Sequence, residues 1–108
     1  MTDAFRRSCR DHVAGMQHRG RVFRRRAGAL VTVHCENYEA INWRTEALLA
    51  AGLTAPKYHA WSRPRMIERE ATHRAIALAE MVDQPIQIFH VSCSEVAAEI
   101  AAAQARGL

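Results

Sequence analysis

The run Ala-Leu-Val-Thr-Val-His-Cys over residues 29–35 is short, β-branched and almost continuously apolar, the pattern of a strand covered on both faces in a parallel sheet. Asn37 can cap a helix over 38–51, where Ile41, Leu48 and Leu49 recur at helical spacing and Gly52 offers the left-handed stop. Residues 53–64 carry Pro56, Tyr58, His59, Trp61 and Pro64, too much proline and aromatic character for a routine connector, and are expected to form an ordered loop. A second helix opens near 62–64 and aligns Ile67, Ala71, Ala75, Leu78 and Val82 before Asp83-Gln84-Pro85 ends it. Residues 86–91 form another short apolar run. Ser92-Cys93-Ser94-Glu95 then offers a capping box into an alanine-rich helix over 95–106, closed by Gly107.

This order is the βα alternation of an α/β fold with a parallel sheet. Two strands that both expect covering layers do not make a sheet able to stand alone, so residues 28–108 read as a slice of something larger.

Charge divides the chain at about the same place. Residues 1–27 hold eight arginines against Asp3 and Asp11, a net +6, whereas residues 28–108 hold seven basic and nine acidic side chains, a net −2. The arginine-rich segment has no clear fold signal, and a shifted coding frame in GC-rich sequence is one expectation for its origin. Clustered guanidinium groups bind phosphate, which invites a small basic nucleic-acid-binding protein as a competing reading, but no groove-binding motif accompanies them. An apolar fraction of 49% and a charged fraction of 24% are those of an ordinary soluble domain. No run approaches the ~18 apolar residues of a membrane span, and no export signal follows the basic N-terminus. Three cysteines, Cys9, Cys35 and Cys93, lack metal-type spacing and are odd in number, which argues against a disulfide framework. A cytoplasmic location is the expectation.

Candidate chemistry gathers on two histidines. His34 and His90 each sit at the C-terminal end of an expected strand, where α/β barrels concentrate their functional groups. Alternation puts Thr32 and His34 on one side of the first strand, and Ile88 and His90 on one side of the second. Both imidazoles could face one mouth and ligate a metal, for which neutral imidazole is a common donor. A lone strand-end histidine is, however, more often a hydrogen-bonded structural residue. Cys35 and Cys93 beside them are expected to be small buried apolar groups. His73 is expected on a helix surface. Arg63, Glu68 and Glu70 are candidates for local ion pairs.

Three blocks carry a family resemblance. Val-Thr-Val-His34-Cys-Glu-Asn resembles the V-H-A-E-N strand end of dihydropyrimidinases and hydantoinases, and Gly52-Leu-Thr-Ala-Pro-Lys-Tyr-His59-Ala-Trp-Ser-Arg-Pro64 is similar to their G-x-T-x-P-x-x-H-x-x-S-R-P loop. Ile88-Phe-His90-Val-Ser-Cys resembles the family's next metal-ligand strand. The resemblance implies an internal fragment of a metal-dependent cyclic amidohydrolase, about two βα units of a TIM-type (β/α)8 barrel. It further implies two divalent ions, usually zinc, with His34 and His90 on one of them, and His59 ordering its loop. The substrate it implies is a cyclic amide or imide, a dihydropyrimidine or hydantoin, and the intact family is expected to be homo-oligomeric. The family's His-x-His strand, carboxylated lysine and aspartate have no counterparts here, since Lys57 is the sole lysine and lies in a loop. No catalytic residue is therefore assigned, and this chain alone is expected to be inactive. A non-catalytic barrel paralogue acting in assembly is the other alternative.

Overall fold

A computed structural model describes residues 30–108. The expectations that fall on the arginine-rich segment 1–27, with Cys9, His12 and His18, and on the start of the first strand at Ala29 lie outside the described residues. The elements are β1 (Val31–Val33), α1 (Tyr38–Ala50), a 3-10 turn (Pro56–Tyr58), α2 (His59–Ser62), α3 (Arg65–Met81), β2 (Ile86–Ile88) and α4 (Ser94–Ala105). The fold is α/β.

β1 and β2 pair in parallel, with Val31 opposite Ile86, Thr32 opposite Gln87 and Val33 opposite Ile88. The strands are shorter than the apolar runs at 29–35 and 86–91. Among the described residues each pairs only with the other, so the ladder ends where that pairing ends. One face of the pair is packed: Val33, Ile86 and Ile88 lie on Cys35, Ala71 and Ala75. Thr32 and Gln87 are exposed on the other, so the expected second covering layer is not formed within these residues. Small residues at Ala71 and Ala75 let α3 approach the strands closely.

α1 forms where the sequence predicts. The Asn37 side chain accepts from the Ala40 backbone N–H at 3.0 Å and donates to Glu70 at 2.7 Å. Its apolar spacing is weaker than it looks, since Ile41 is buried but Leu49 is exposed. The loop is ordered as expected, and it contains the 3-10 turn and the single helical turn of α2.

α3 and α4 pack along their lengths. Their ion pairs, Arg65–Glu95 at 3.4 Å, Arg69–Glu99 at 3.2 Å and Arg106–Glu80 at 2.6 Å, advance together along both helices, so the two run parallel, as helices joined through parallel strands must. Beneath them Ile67, Ile76 and Val96 are buried, each contributing about 1.5–3 kcal/mol. The buried face of α3 is wider than the expected stripe: Ile67, Ala71 and Ala75 are buried as the spacing predicts, Glu68, Thr72, Ile76 and Ala79 are buried beside them, and Leu78 and Val82 are only partly so. His73 is exposed and approaches Glu99 at 3.2 Å. That contact, together with Arg69, holds the Glu99 carboxyl below its usual range. The stabilisation is present above the ordinary carboxylate pKa and is lost as pH falls through the lowered value.

The expected capping box before α4 is not formed. The N-cap is Cys93, without a side-chain cap, and Ser92 turns its hydroxyl away to Glu68. Among the described residues all three long helices end in the same way. Leu53, Gln84 and Leu108 donate their backbone N–H groups to Leu48, Ala79 and Ala103, with Gly52, Asp83 and Gly107 in the left-handed conformation before them.

Gly52 has a φ of 73° and open space where a Cβ would stand. Gly52→Ala is therefore expected to cost only the backbone term, about 1 kcal/mol. Asn37→Ala, which leaves an N–H of α1 uncapped, is expected to cost a similar ~1 kcal/mol. Urea unfolding midpoints of the two variants check both values.

Candidate metal-binding site

The parallel register carries His34 and His90 to the same end of the sheet. His34 follows β1 by one residue and His90 follows β2 by two, so both lie just past the strands rather than in them. The ladder reaches one bond further, from Phe89 N–H to the Val33 carbonyl at 3.0 Å. At His90 the alternation breaks. Ile88 packs into the core, whereas His90 is exposed and its backbone takes a φ of 39°. A left-handed histidine costs on the order of 1 kcal/mol, and here it swings the ring towards His34.

The two rings meet edge-on, with centroids 4.6 Å apart and planes at 63°. His34 Nδ1 lies 2.6 Å from His90 Nε2. On its other side, His34 Nε2 is 3.2 Å from the Glu36 carboxylate. A carboxylate there favours the His34 tautomer with its proton on Nε2, which leaves the Nδ1 lone pair facing His90. His90 Nε2–H then donates into that lone pair.

The chain of contacts continues outward. Arg63 Nε stands 3.7 Å from Glu36, and Arg63 Nη1 reaches His59 Nδ1 at 3.2 Å and Ser62 Oγ at 3.2 Å. His59, expected to order its loop, thus does so through Arg63, and its own carbonyl accepts from Ser62 Oγ at 2.7 Å. Glu70 pairs with Arg74 at 3.3 Å and receives Asn37, away from the histidines.

Two neighbours have other roles. Cys35 and Cys93 are free and buried, and burial pushes the Cys35 thiol above its usual range, the opposite of what a thiolate ligand needs. Glu68 is not the surface ion-pair residue the sequence suggested. It is buried and takes the Ser92 backbone N–H at 2.8 Å on one oxygen and the Ser92 hydroxyl on the other. Its helical spacing to Thr72 and Ala79 was the signal that could have placed it on the inner face.

The donor set fits a metal in part. A tetrahedral zinc with bonds of about 2.0–2.1 Å holds two ring nitrogens about 3.3 Å apart, so the rings would part by roughly 0.7 Å and the proton on His90 Nε2 would leave. Among the described residues no group of three or more His, Cys, Asp or Glu is arranged to hold an ion. Two nitrogens are in place, and a full coordination shell is not.

A comparison with protein-family models finds no match. Among curated proteins the chain is similar to a D-hydantoinase from Ralstonia pickettii, 49% identical over 83 residues, which are 77% of this chain and 18% of that enzyme. Among solved structures it superposes on a D-hydantoinase with a TM-score of 0.74 at 50% identity, over 76% of this chain and 18% of that one. The chain is a homologue of the hydantoinases and dihydropyrimidinases. The dihydropyrimidinase from Brevibacillus agri gives a TM-score of 0.73 at 46% identity, over 74% of this chain and 17% of that one. This hydantoinase homologue thus spans under one fifth of the length of these relatives.

The raised Cys35 pKa leaves little thiolate at pH 8, so Cys35 of the folded chain is expected to resist iodoacetamide and to react once urea unfolds it. Mass mapping of the labelled peptides checks this. Rapid labelling in the native state would show an accessible thiolate beside His34.

Proposed function

We propose that residues 28–108 are part of a metal-dependent hydrolase that opens a cyclic amide or imide, with His34 and His90 as two ligands of one divalent ion. The observation that carries this reading is the 2.6 Å contact between two histidines 56 residues apart, at one end of two paired parallel strands, in a homologue of hydantoinases. In this reading the chain supplies about two βα units to a (β/α)8 barrel whose further strands lie beside β1 and β2. Zinc suits the imidazole donors. The substrate class is a dihydropyrimidine or a 5-substituted hydantoin, and the whole protein is homo-oligomeric.

When bound, such an ion polarises the ring carbonyl and lowers the pKa of a water. The residues of this chain act before that step. Glu36 holds His34 in the tautomer that presents Nδ1, Arg63 holds Glu36, and the turn at Phe89–His90 aims the second imidazole. A catalytic zinc site needs three protein ligands with a position open to water, and two nitrogens fall short of that. Among the described residues none is assigned the role of acid or base. The relatives named as hydantoinases and dihydropyrimidinases favour the hydrolase over the non-catalytic alternative, and the nucleic-acid alternative rests on residues outside those described.

Calorimetric titration of the purified chain with zinc is expected to show weak binding that His34→Ala and His90→Ala each reduce at least about tenfold. Dihydrouracil and hydantoin are expected to remain closed. Unchanged affinity in both variants would mean the histidines are not ligands, and robust metal-dependent ring opening would show that the chain completes the site with other residues.

A further inference from the structure

Between β2 and α4 the chain is fixed at two points, and His90 lies between them. Before it, Phe89 N–H donates to the Val33 carbonyl at 3.0 Å. After it, Ser92 gives both its backbone N–H and its hydroxyl to the carboxylate of Glu68. Only His90 and Val91 separate the two anchors, and the turn they must make is taken up by the left-handed φ at His90.

Glu68 is an unusual group to find there. Its residue is 9% exposed, in a helix whose neighbouring inward positions are Ile67, Ala71 and Thr72. A carboxylate buried in such surroundings is tolerated only when its oxygens are hydrogen-bonded. Both donors come from one residue, so they fix the Ser92 backbone and its side-chain rotamer together. A single acceptor would leave the segment free to pivot.

We propose that Glu68 is a positioning residue for His90, clamping Ser92 so that the His90 ring is held against His34 in the arrangement that presents two nitrogens to one ion. The part concerning the ion rests on the metal-binding reading above; the part concerning the ring does not. Glu68 touches neither histidine. It acts through the two-residue lever from Ser92 to His90, and its place on α3 ties that lever to the same helix that packs the strands.

The test uses the full chain labelled with 15N-histidine at pH 8, without metal, and long-range 1H–15N spectra of the rings. In the unaltered chain His90 is expected to show one tautomer, with Nε2 protonated and hydrogen-bonded to His34 Nδ1. Ser92→Ala keeps the backbone bond and loses the hydroxyl, and Glu68→Gln replaces one acceptor oxygen with an amide donor. Both are expected to shift the His90 nitrogens towards a mixture of tautomers, with Glu68→Gln moving them further. Val96→Ala, which loosens the fully buried contact of α4 on α3, serves as the control for general destabilisation and is expected to leave them in place. In parallel, zinc affinity is expected to fall roughly tenfold in Ser92→Ala, as supporting groups around a ligand typically produce. That loss should vanish when His90 is already alanine.

Unmoved His90 signals in folded Ser92→Ala and Glu68→Gln would overturn the proposal, as would an equal response in Val96→Ala. If the unaltered chain takes up no zinc while the His90 signals respond to Ser92→Ala and Glu68→Gln, the clamp stands and the metal-binding reading fails.

Discussion

The parallel pairing of β1 with β2 is the constraint on which the rest depends. Side chains along a strand alternate faces, so a slip of one residue would turn Val33, Ile86 and Ile88 away from α3 and expose them. The packed face therefore fixes the register, and the register fixes where each chain leaves the sheet. From those two exits the imidazoles need travel only one and two residues to meet. Their contact follows from burial on the opposite face rather than from attraction between the rings.

α3 connects the two sides of this arrangement. Ala71 and Ala75 seat the strands, while Glu68, one turn earlier, holds the segment after β2. The structure accepts two costs at the same place, a buried carboxylate and a left-handed histidine. Local unfavourable features that a surrounding fold holds in place are typical of sites that must keep a geometry. The ion-pair row between α3 and α4 lies on the outside, where solvent screens it, and contributes less than the apolar contacts beneath.

Much of this was legible in the residues. Period and caps gave the order of the elements, Asn37 and Gly52 bounded α1, and the ends of two apolar runs located the histidines. The blocks around His34, His59 and His90 pointed to the family that the comparisons bear out. What the residues did not reveal depended on long-range contacts. Ser92-x-x-Glu95 satisfies the local pattern of a capping box, yet the helix takes Cys93 as its N-cap and the Ser92 hydroxyl is turned to donate to the buried carboxylate of Glu68, 24 residues away. The apolar run 86–91 has the pattern of one strand, but its pairing partner ends at Val33, and the chain leaves the ladder after the Phe89 N–H. Alternation then failed at His90, where the turn rather than the pleat sets the direction of the ring.

In the proposed function the strand register makes His34 and His90 a joint binding site for one ion. The most direct measurement is a cobalt(II) titration of the chain followed by proton NMR of the two histidine rings. Signals of His34 and His90 are expected to broaden and shift together, at the same cobalt concentration and to a similar extent, while those of His59 and His73 lag behind. Perturbation of one ring without the other, or of His59 or His73 first, would contradict it.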